Sequence, residues 1–276
     1  MAKITAAAIQ FTANEEKKRN IDIVMTLIDE AYNRGAELVV LPEMFNCYSY
    51  QEIMVENAET IPGYTTDLLA EKAKEKGIYI IFGIYEKAND NKAYNSAVAV
   101  GPDGKVLDTY SKTHLFDINV PGSITYLESS HVTPGQKITN VNINNIKCGM
   151  AVCYDLRFPE LFRTMALNGA MMFAMPCAFT HATGKFHWDP LLKARAIENQ
   201  TFMIAANQIG KHPNGIISHG NSMIVDPWGR VIVQAAKEDN IIVAELNFKT
   251  LEMVRNEMAL HTQRRTDLYT LTTNQF

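Results

Sequence analysis

The chain reads as an α/β protein with a four-layer helix–sheet–sheet–helix arrangement. Short apolar runs of strand length alternate with stretches whose apolar residues recur every three or four positions. The alternation carries a weak internal echo: a strand–helix–strand unit ending LVVLPEMF (38–45) resembles a later one ending MMFAMPCAF (171–179). Two helices and a group of strands on each side of that echo suggest two sheets back to back, each covered by helices. No linker or shift of composition interrupts the 276 residues, so 1–276 is read as a single domain.

Taken in order, 4–11 is a buried strand. A helix follows with Ile21, Val24, Leu27, Ile28 and Ala31 on one face and Gly35 as its stop. Residues 37–41 (ELVVL) form a short strand that ends at Pro42-Glu43. A second helix is expected over 66–76, stopping at Gly77, with strands at 79–85, 94–100 and 106–110 and a Pro102-Asp103-Gly104 turn before the last. Residues 111–140 are polar and irregular, and a loop of that length in a compact domain is usually functional or mobile. A strand then runs into Cys153, and a helix follows over 158–167 with Pro159 in its first turn and Gly169 as its stop. After a buried strand at 171–175, Asp189-Pro190 predicts an N-cap and first helical residue for a helix to Asn199. Strands at 202–207, 222–225, 231–234 and 241–246 complete the core. A helix over 249–257 leads to a polar tail, 258–276.

Hydrophobic residues make up 47% of the chain and charged residues 20%, which is globular rather than disordered composition. A net charge of −4 offers no basic surface for nucleic acid or an anionic membrane. The first residues lack the basic-then-apolar pattern of a signal peptide, and no apolar run is long enough to span a bilayer. The four cysteines, Cys47, Cys148, Cys153 and Cys177, form no CxxC pair. The expectation is a cytoplasmic protein with reduced thiols.

The stretch GMAVCYDLRFPEL (149–161) delivers Cys153 from an apolar run to a helix start. Unpaired N–H groups at such a start favour the thiolate, which is the nucleophilic form. Packing explains a lone cysteine equally well, because cysteine is among the most buried residue types. A thiolate attacking a carbonyl also needs a base, oxyanion donors and an acid for the leaving group. The histidines do not announce themselves as that base; His212 and His219, in HPNGIISH, read as solvated loop residues. Glu43 emerges from a buried strand, which is costly unless it is paired or at an edge. Lys112 follows the strand VLDTY and reads as surface charge unless it points at Cys153.

Three blocks, LPEMF around Glu43, KTHLFDINVPG around Lys112 and AVCYDLRFPEL around Cys153, resemble the signature blocks of the nitrilase superfamily, the carbon–nitrogen hydrolases. TGKFHWDPLLKARAIENQ and HGNSMIVDPWGRV match two further blocks, so the resemblance covers about 4–268. It implies an αββα sandwich of the carbon–nitrogen hydrolase type and a Glu–Lys–Cys triad. On this chain Glu43 is then the general base and acid, Lys112 the oxyanion donor and Cys153 the nucleophile, with the backbone N–H of Tyr154 as second oxyanion donor. Glu128, in TYLESS, matches a second family glutamate that positions the lysine and the substrate amide. The cycle runs through a thioester, uses water, and requires no metal or organic cofactor.

Within the family the chain is similar to the omega-amidase and deaminated-glutathione amidase branch, whose substrates are small carboxylate-bearing amides. Arg157 is either a clamp for the substrate carboxylate or a helix-start arginine paired with Glu160 or Asp155. Phe179 and Thr183 match pocket positions in that branch; Tyr48 and Phe116 are further pocket candidates. Cys47, Cys148 and Cys177 are assigned to packing, and Trp188 and Trp228 to packing with bonded N–H groups. The alternatives are an amidase or N-carbamoyl hydrolase for another small amide, and an inactive scaffold on the same fold. The scaffold predicts a damaged triad, whereas Glu43, Lys112, Glu128 and Cys153 are all present. The resemblance also implies a homodimer or higher homo-oligomer using the tail, with Leu268, Tyr269, Leu271 and Phe276 as its apolar residues.

Overall fold

A computed structural model describes residues 3–272 apart from Asp90, Ser123 and Asp239; Phe276 of the expected dimer tail lies outside the described residues. One six-stranded sheet holds β1 (Lys3–Gln10), β2 (Leu38–Val40), β3 (Tyr79–Lys87), β4 (Ala93–Val100), β5 (Val106–Ser111) and β16 (Asn240–Asn247), in the order β16-β1-β2-β3-β4-β5. The other holds β8 (Asn140–Ile143), β9 (Ile146–Met150), β10 (Met172–Cys177), β11 (Phe202–Asn207), β14 (Met223–Val225) and β15 (Val231–Gln234), in the order β15-β14-β11-β10-β9-β8. The helices are α1 (Lys17–Asn33), α2 (Gln51–Glu56), α3 (Tyr64–Lys76), α4 (Pro159–Leu167), α5 (His181–Asn199) and α6 (Phe248–Glu257).

The echo in the sequence is an echo in topology. In each sheet three parallel strands, β1-β2-β3 or β9-β10-β11, are followed by two antiparallel ones and flanked on the first strand by another antiparallel strand. Parallel strands must be covered on both faces, and the period-two alternation of β1 does that. Ala6 and Ala8 enter the cluster shared with the second sheet. Ala7 and Ile9 pack instead against Ile21, Val24, Ile28 and Ala31 of α1 and Leu69 and Ala73 of α3. On the far side Phe162 and Met165 of α4 and Trp188 and Leu192 of α5 close the second sheet. Leu27, expected on the inner face of α1, is partly buried.

The structure corrects four readings. Residues 111–140 are not irregular throughout: β6 (Asp117–Val120) and β7 (Ile124–Leu127) form a hairpin, and a single 3-10 turn spans Glu128–Ser130. Four-residue strands are too short for alternation to stand out from a polar background. The second correction is the start of α5, which is His181 and not Asp189, leaving Pro190 inside the helix. Proline removes the N–H that would bond four residues back. That partner is Phe186, which like Pro190 faces solvent, so water can serve its carbonyl. Third, the polar stretch after Asn207 contains a hairpin of β12 (Ile209–Lys211) and β13 (Ile217–His219). Fourth, Trp228 is 45% exposed and anchors no core, whereas Trp188 is buried with its Nε1 donating to the Asn221 carbonyl at 2.7 Å. Among the described residues no helix is long and apolar enough to cross a membrane.

Candidate active site

Glu43 follows β2 where the chain leaves the first sheet, and its carboxylate is buried between the sheets at 1% exposure. It is held from both. Glu43 Oε2 accepts from the Ala178 N–H, just beyond β10, at 2.7 Å, and the side chain of Gln208 donates to the Glu43 carbonyl at 3.0 Å. Gly83 of β3 passes beneath it so closely that a Cβ there would lie 2.7 Å from Glu43 Cα. Glycine is required at that crossing by space, not by turn geometry.

Lys112 is the residue after β5, and its backbone N–H donates to the Asn95 carbonyl at 2.8 Å. It is 2% exposed, so it is no surface lysine. Its ammonium lies 3.1 Å from Glu43 Oε1 and 2.9 Å from Glu128 Oε2. Burial opposes the ammonium charge, but the two carboxylates outweigh it and hold the lysine well above its ordinary range. Glu128 opens the 3-10 turn after β7 and also accepts from the Phe116 N–H at 2.6 Å. The hairpin that sequence reasoning missed is therefore what carries the second glutamate to the lysine.

Cys153 begins a one-turn 3-10 segment, Cys153–Arg157, with φ of +44°, a left-handed conformation that costs a non-glycine residue energy. Asp155 fixes the turn. Its fully buried carboxylate accepts from the Val152 N–H at 2.9 Å, the Tyr110 hydroxyl at 2.8 Å and the His114 N–H at 3.1 Å. Asp155 is thus occupied. Among the described residues Arg157 makes no ion pair with it or with Glu160, and that structural alternative falls away. The guanidinium instead sits 4.4 Å from the Phe179 ring centre and 4.8 Å from that of Tyr154, a cation between two rings.

One pocket, holding about 440 Å³ of atom-free space, joins Glu43, Lys112, Glu128 and Cys153 to Arg157. Phe116, Phe179, Thr183 and Tyr48 line it, as the sequence led us to expect. Tyr154 is not in the lining; its ring packs edge-on against Phe116 and Phe158. Tyr85, Tyr126 and Ile216 line the pocket without having been foreseen. Their signal was faint, because tyrosines within strands read as ordinary packing. Among the described residues no group of three His, Cys, Asp or Glu side chains could hold a metal.

The remaining cysteines are buried. Burial pushes the Cys47 thiol up to about 11 and that of Cys148 up to about 12. Cys177 is raised well above its ordinary value by burial and by the neighbouring Cys153. It packs, but beside the site.

His212 is not solvated. It is 2% exposed, its ring tilted against that of Tyr48 with the centres 4.0 Å apart, and bonded to the Ala13 carbonyl and the Ser218 hydroxyl, each at 2.9 Å. Burial lowers it from 6.5 to about 4. The folded state therefore binds this proton less readily than the unfolded chain, and stability declines as pH falls from about 6.5 to about 4. The full difference is roughly 3 kcal/mol. Thermal melts between pH 7 and pH 4 should show a fall that is shallower by roughly 5 °C or more in His212→Gln. Equal slopes would rule out this imidazole as the source.

The carbon–nitrogen hydrolase family model matches residues 5–256, and the chain belongs to that family. It is a hydrolase of non-peptide carbon–nitrogen bonds, an amidase. Its relatives include omega-amidase NIT2-B of Xenopus laevis, 38% identical over 271 residues and covering 98% of each chain. Among solved structures, the C. elegans NitFhit protein superposes with a TM-score of 0.93 at 32% identity, over 100% of this chain and 68% of that one. Nit3 of Saccharomyces cerevisiae, a nitrilase-superfamily member, gives 0.86 at 31%, over 95% and 97%.

Proposed function

We propose that this amidase hydrolyses the terminal amide of a small dicarboxylic acid derivative through a thioester on Cys153. The first candidate is α-ketoglutaramate; deaminated glutathione is the second. The observation that carries the reading is Arg157, a guanidinium in the same pocket as Glu43, Lys112 and Cys153, with no carboxylate of the described chain paired to it. Burial lowers its affinity for its proton, so a substrate carboxylate would restore what the pocket withholds. The similarity to omega-amidases favours the ω-amide over deaminated glutathione.

In this mechanism Glu43 takes the Cys153 proton as sulfur attacks the amide carbon. The Lys112 ammonium and the Tyr154 N–H hold the oxyanion, where loss of a single donor typically costs about 10²–10³ in rate. Glu43 returns the proton to the departing nitrogen, releasing ammonia or an amine and leaving the thioester. It then takes a proton from water, whose oxygen attacks the thioester, and returns that proton to the sulfur as the acid departs. Glu128 positions Lys112 and the amide. Every proton has a carrier within the chain, and the reducing cytoplasm suits an enzyme whose four cysteines are free.

The test is turnover on α-ketoglutaramate, succinamate, deaminated glutathione, N-carbamoyl amines and a simple nitrile, for wild type and Arg157→Leu. The expected result is preference for the ω-amides and, in the variant, a KM raised about 10²-fold with kcat changed far less. An unchanged KM would remove Arg157 as the carboxylate clamp; preference for the carbamoyl compounds would replace the substrate class.

We also propose that 1–276 acts as one unit in a homodimer built with its tail. Leu268 and Tyr269 are 70% and 57% exposed, large apolar side chains that a partner copy would cover. Sedimentation as a monomer at micromolar concentration would dismiss this.

A further inference from the structure

Asn95 lies inside β4 and is fully buried. Its side-chain nitrogen is 2.6 Å from Glu43 Oε1 and 2.9 Å from Glu128 Oε1. Lys112 Nζ is 3.1 Å from each of the same two oxygens. Two carboxylate oxygens thus face one another across two donor nitrogens, one charged and one neutral. The other end of the amide, Asn95 Oδ1, is buried with no hydrogen-bond partner. The amide cannot turn over to relieve it, because Oδ1 would then face both carboxylates. A buried acceptor left unpaired is expensive. The site retains it together with two N–H bonds that reach the base and the second glutamate at once.

We propose that Asn95 is a positioning residue for the hydrolytic reaction, its amide tying the carboxylates of Glu43 and Glu128 into one unit around Lys112. The proposal rests on Glu43 being the base. Two carboxylates that share one cation repel each other, and a neutral donor given to both offsets that repulsion. Both N–H groups of the amide favour the ionised form of the oxygen they bind, and the amide itself does not titrate in the working range. Asn95 also accepts from the Lys112 backbone N–H through its carbonyl, so one residue sets both the end of β5 and the carboxylates that meet its lysine.

The charged groups around the amide are Glu43, Glu128 and Lys112, with Cys153 across the pocket. Tyr85, opposite Asn95 in the register of β3, and Tyr48 and Tyr126 are all raised by burial and stay neutral. His131, bonded to Tyr85 at 3.2 Å, is lowered by burial and is neutral at pH 7. None of these neutral groups replaces the amide as a donor shared by both carboxylates.

The experiment uses the whole chain with Asn95→Leu, of the same branched shape but without polar atoms, and Asn95→Ser, which keeps one donor that cannot span both carboxylates. Both should lower kcat by about 10²-fold with KM within about threefold, and both should move the low-pH limb of kcat/KM upward. Iodoacetamide alkylation of Cys153 at pH 7, followed by peptide mass spectrometry, is measured in parallel and should slow about tenfold. Should Asn95→Leu fail to fold, Asn95→Ser carries the same readings. A folded variant with wild-type kcat, an unmoved low-pH limb and an unchanged alkylation rate overturns the proposal. If wild type turns over no amide in the panel, the functional reading fails while the alkylation comparison still decides the role of Asn95.

Discussion

Cys153→Ala is expected to remove amide turnover, with a loss of roughly 10⁴-fold or more. Nothing else in the pocket can take its place. Cys177 is the nearest thiol, but it is fully buried and held in its protonated form by burial and by its neighbour. The hydroxyls of Tyr48 and Tyr85 are likewise held well above their ordinary range. The protein should remain folded, because alanine inherits the same positive φ and Asp155 still holds the turn through Val152, Tyr110 and His114. A melting temperature near that of wild type together with lost turnover would identify the sulfur as the reacting atom. A folded variant that kept more than a few per cent of the activity would refute the thioester route.

Glu43→Gln is expected to lower kcat by about 10³-fold or more and to cost stability as well. Both effects follow from the hydrogen bonds. Glu43 Oε1 receives N–H groups from Asn95 and Lys112, and Oε2 receives the Ala178 N–H. A glutamine has one oxygen and one NH2 group. Whichever way it turns, its NH2 faces a donor, either the Ala178 N–H or the pair formed by Asn95 and Lys112. A buried polar group left facing the wrong partner costs about 1–3 kcal/mol. The substitution also removes a carboxylate that joins Lys112 to the Ala178 N–H just beyond β10 of the second sheet. Reduced stability with retained activity, measured by melts and initial rates on the same preparation, would mean that Glu43 is structural and that another group accepts the proton.

Glu43, Lys112 and Cys153 are legible in the sequence because each stands at a strand end within a block that resembles the carbon–nitrogen hydrolase signatures; without those blocks, surface charge or packing explains each of them as well. Asn95 is not legible. It lies within YNSAVAV, where alternation explains its burial but not its partners, which are 52 and 33 residues away in the chain. His212 misled for the opposite reason. The turn residues around it, Pro213-Asn214-Gly215, mark a real turn, yet Tyr48 arrives from the other half of the chain to cover it. Asp189-Pro190 is a sound local signal for a helix start. It is overridden because Gly184, more than a turn earlier, and Trp188, just before Asp189, are needed against His219 and the second sheet. Arg157 stayed ambiguous until Asp155 proved to be fully engaged elsewhere.

The pairing of β1 with β16 has a consequence for how the protein is made. Residues Lys3 to Gln10 are bonded on one side to residues 38–40 and on the other to residues 240–247. The pairing of β1 is therefore completed only by a strand that is made long after it. At ordinary rates of synthesis the wait is on the order of ten to fifty seconds, during which an apolar strand carries an unpaired edge. By then Glu43, Lys112, Glu128 and Cys153 have all been translated, but the sheet that must hold two of them is still open. A chain cut before residue 240 would leave that edge of β1 open for good, and is expected to aggregate rather than to give a smaller enzyme.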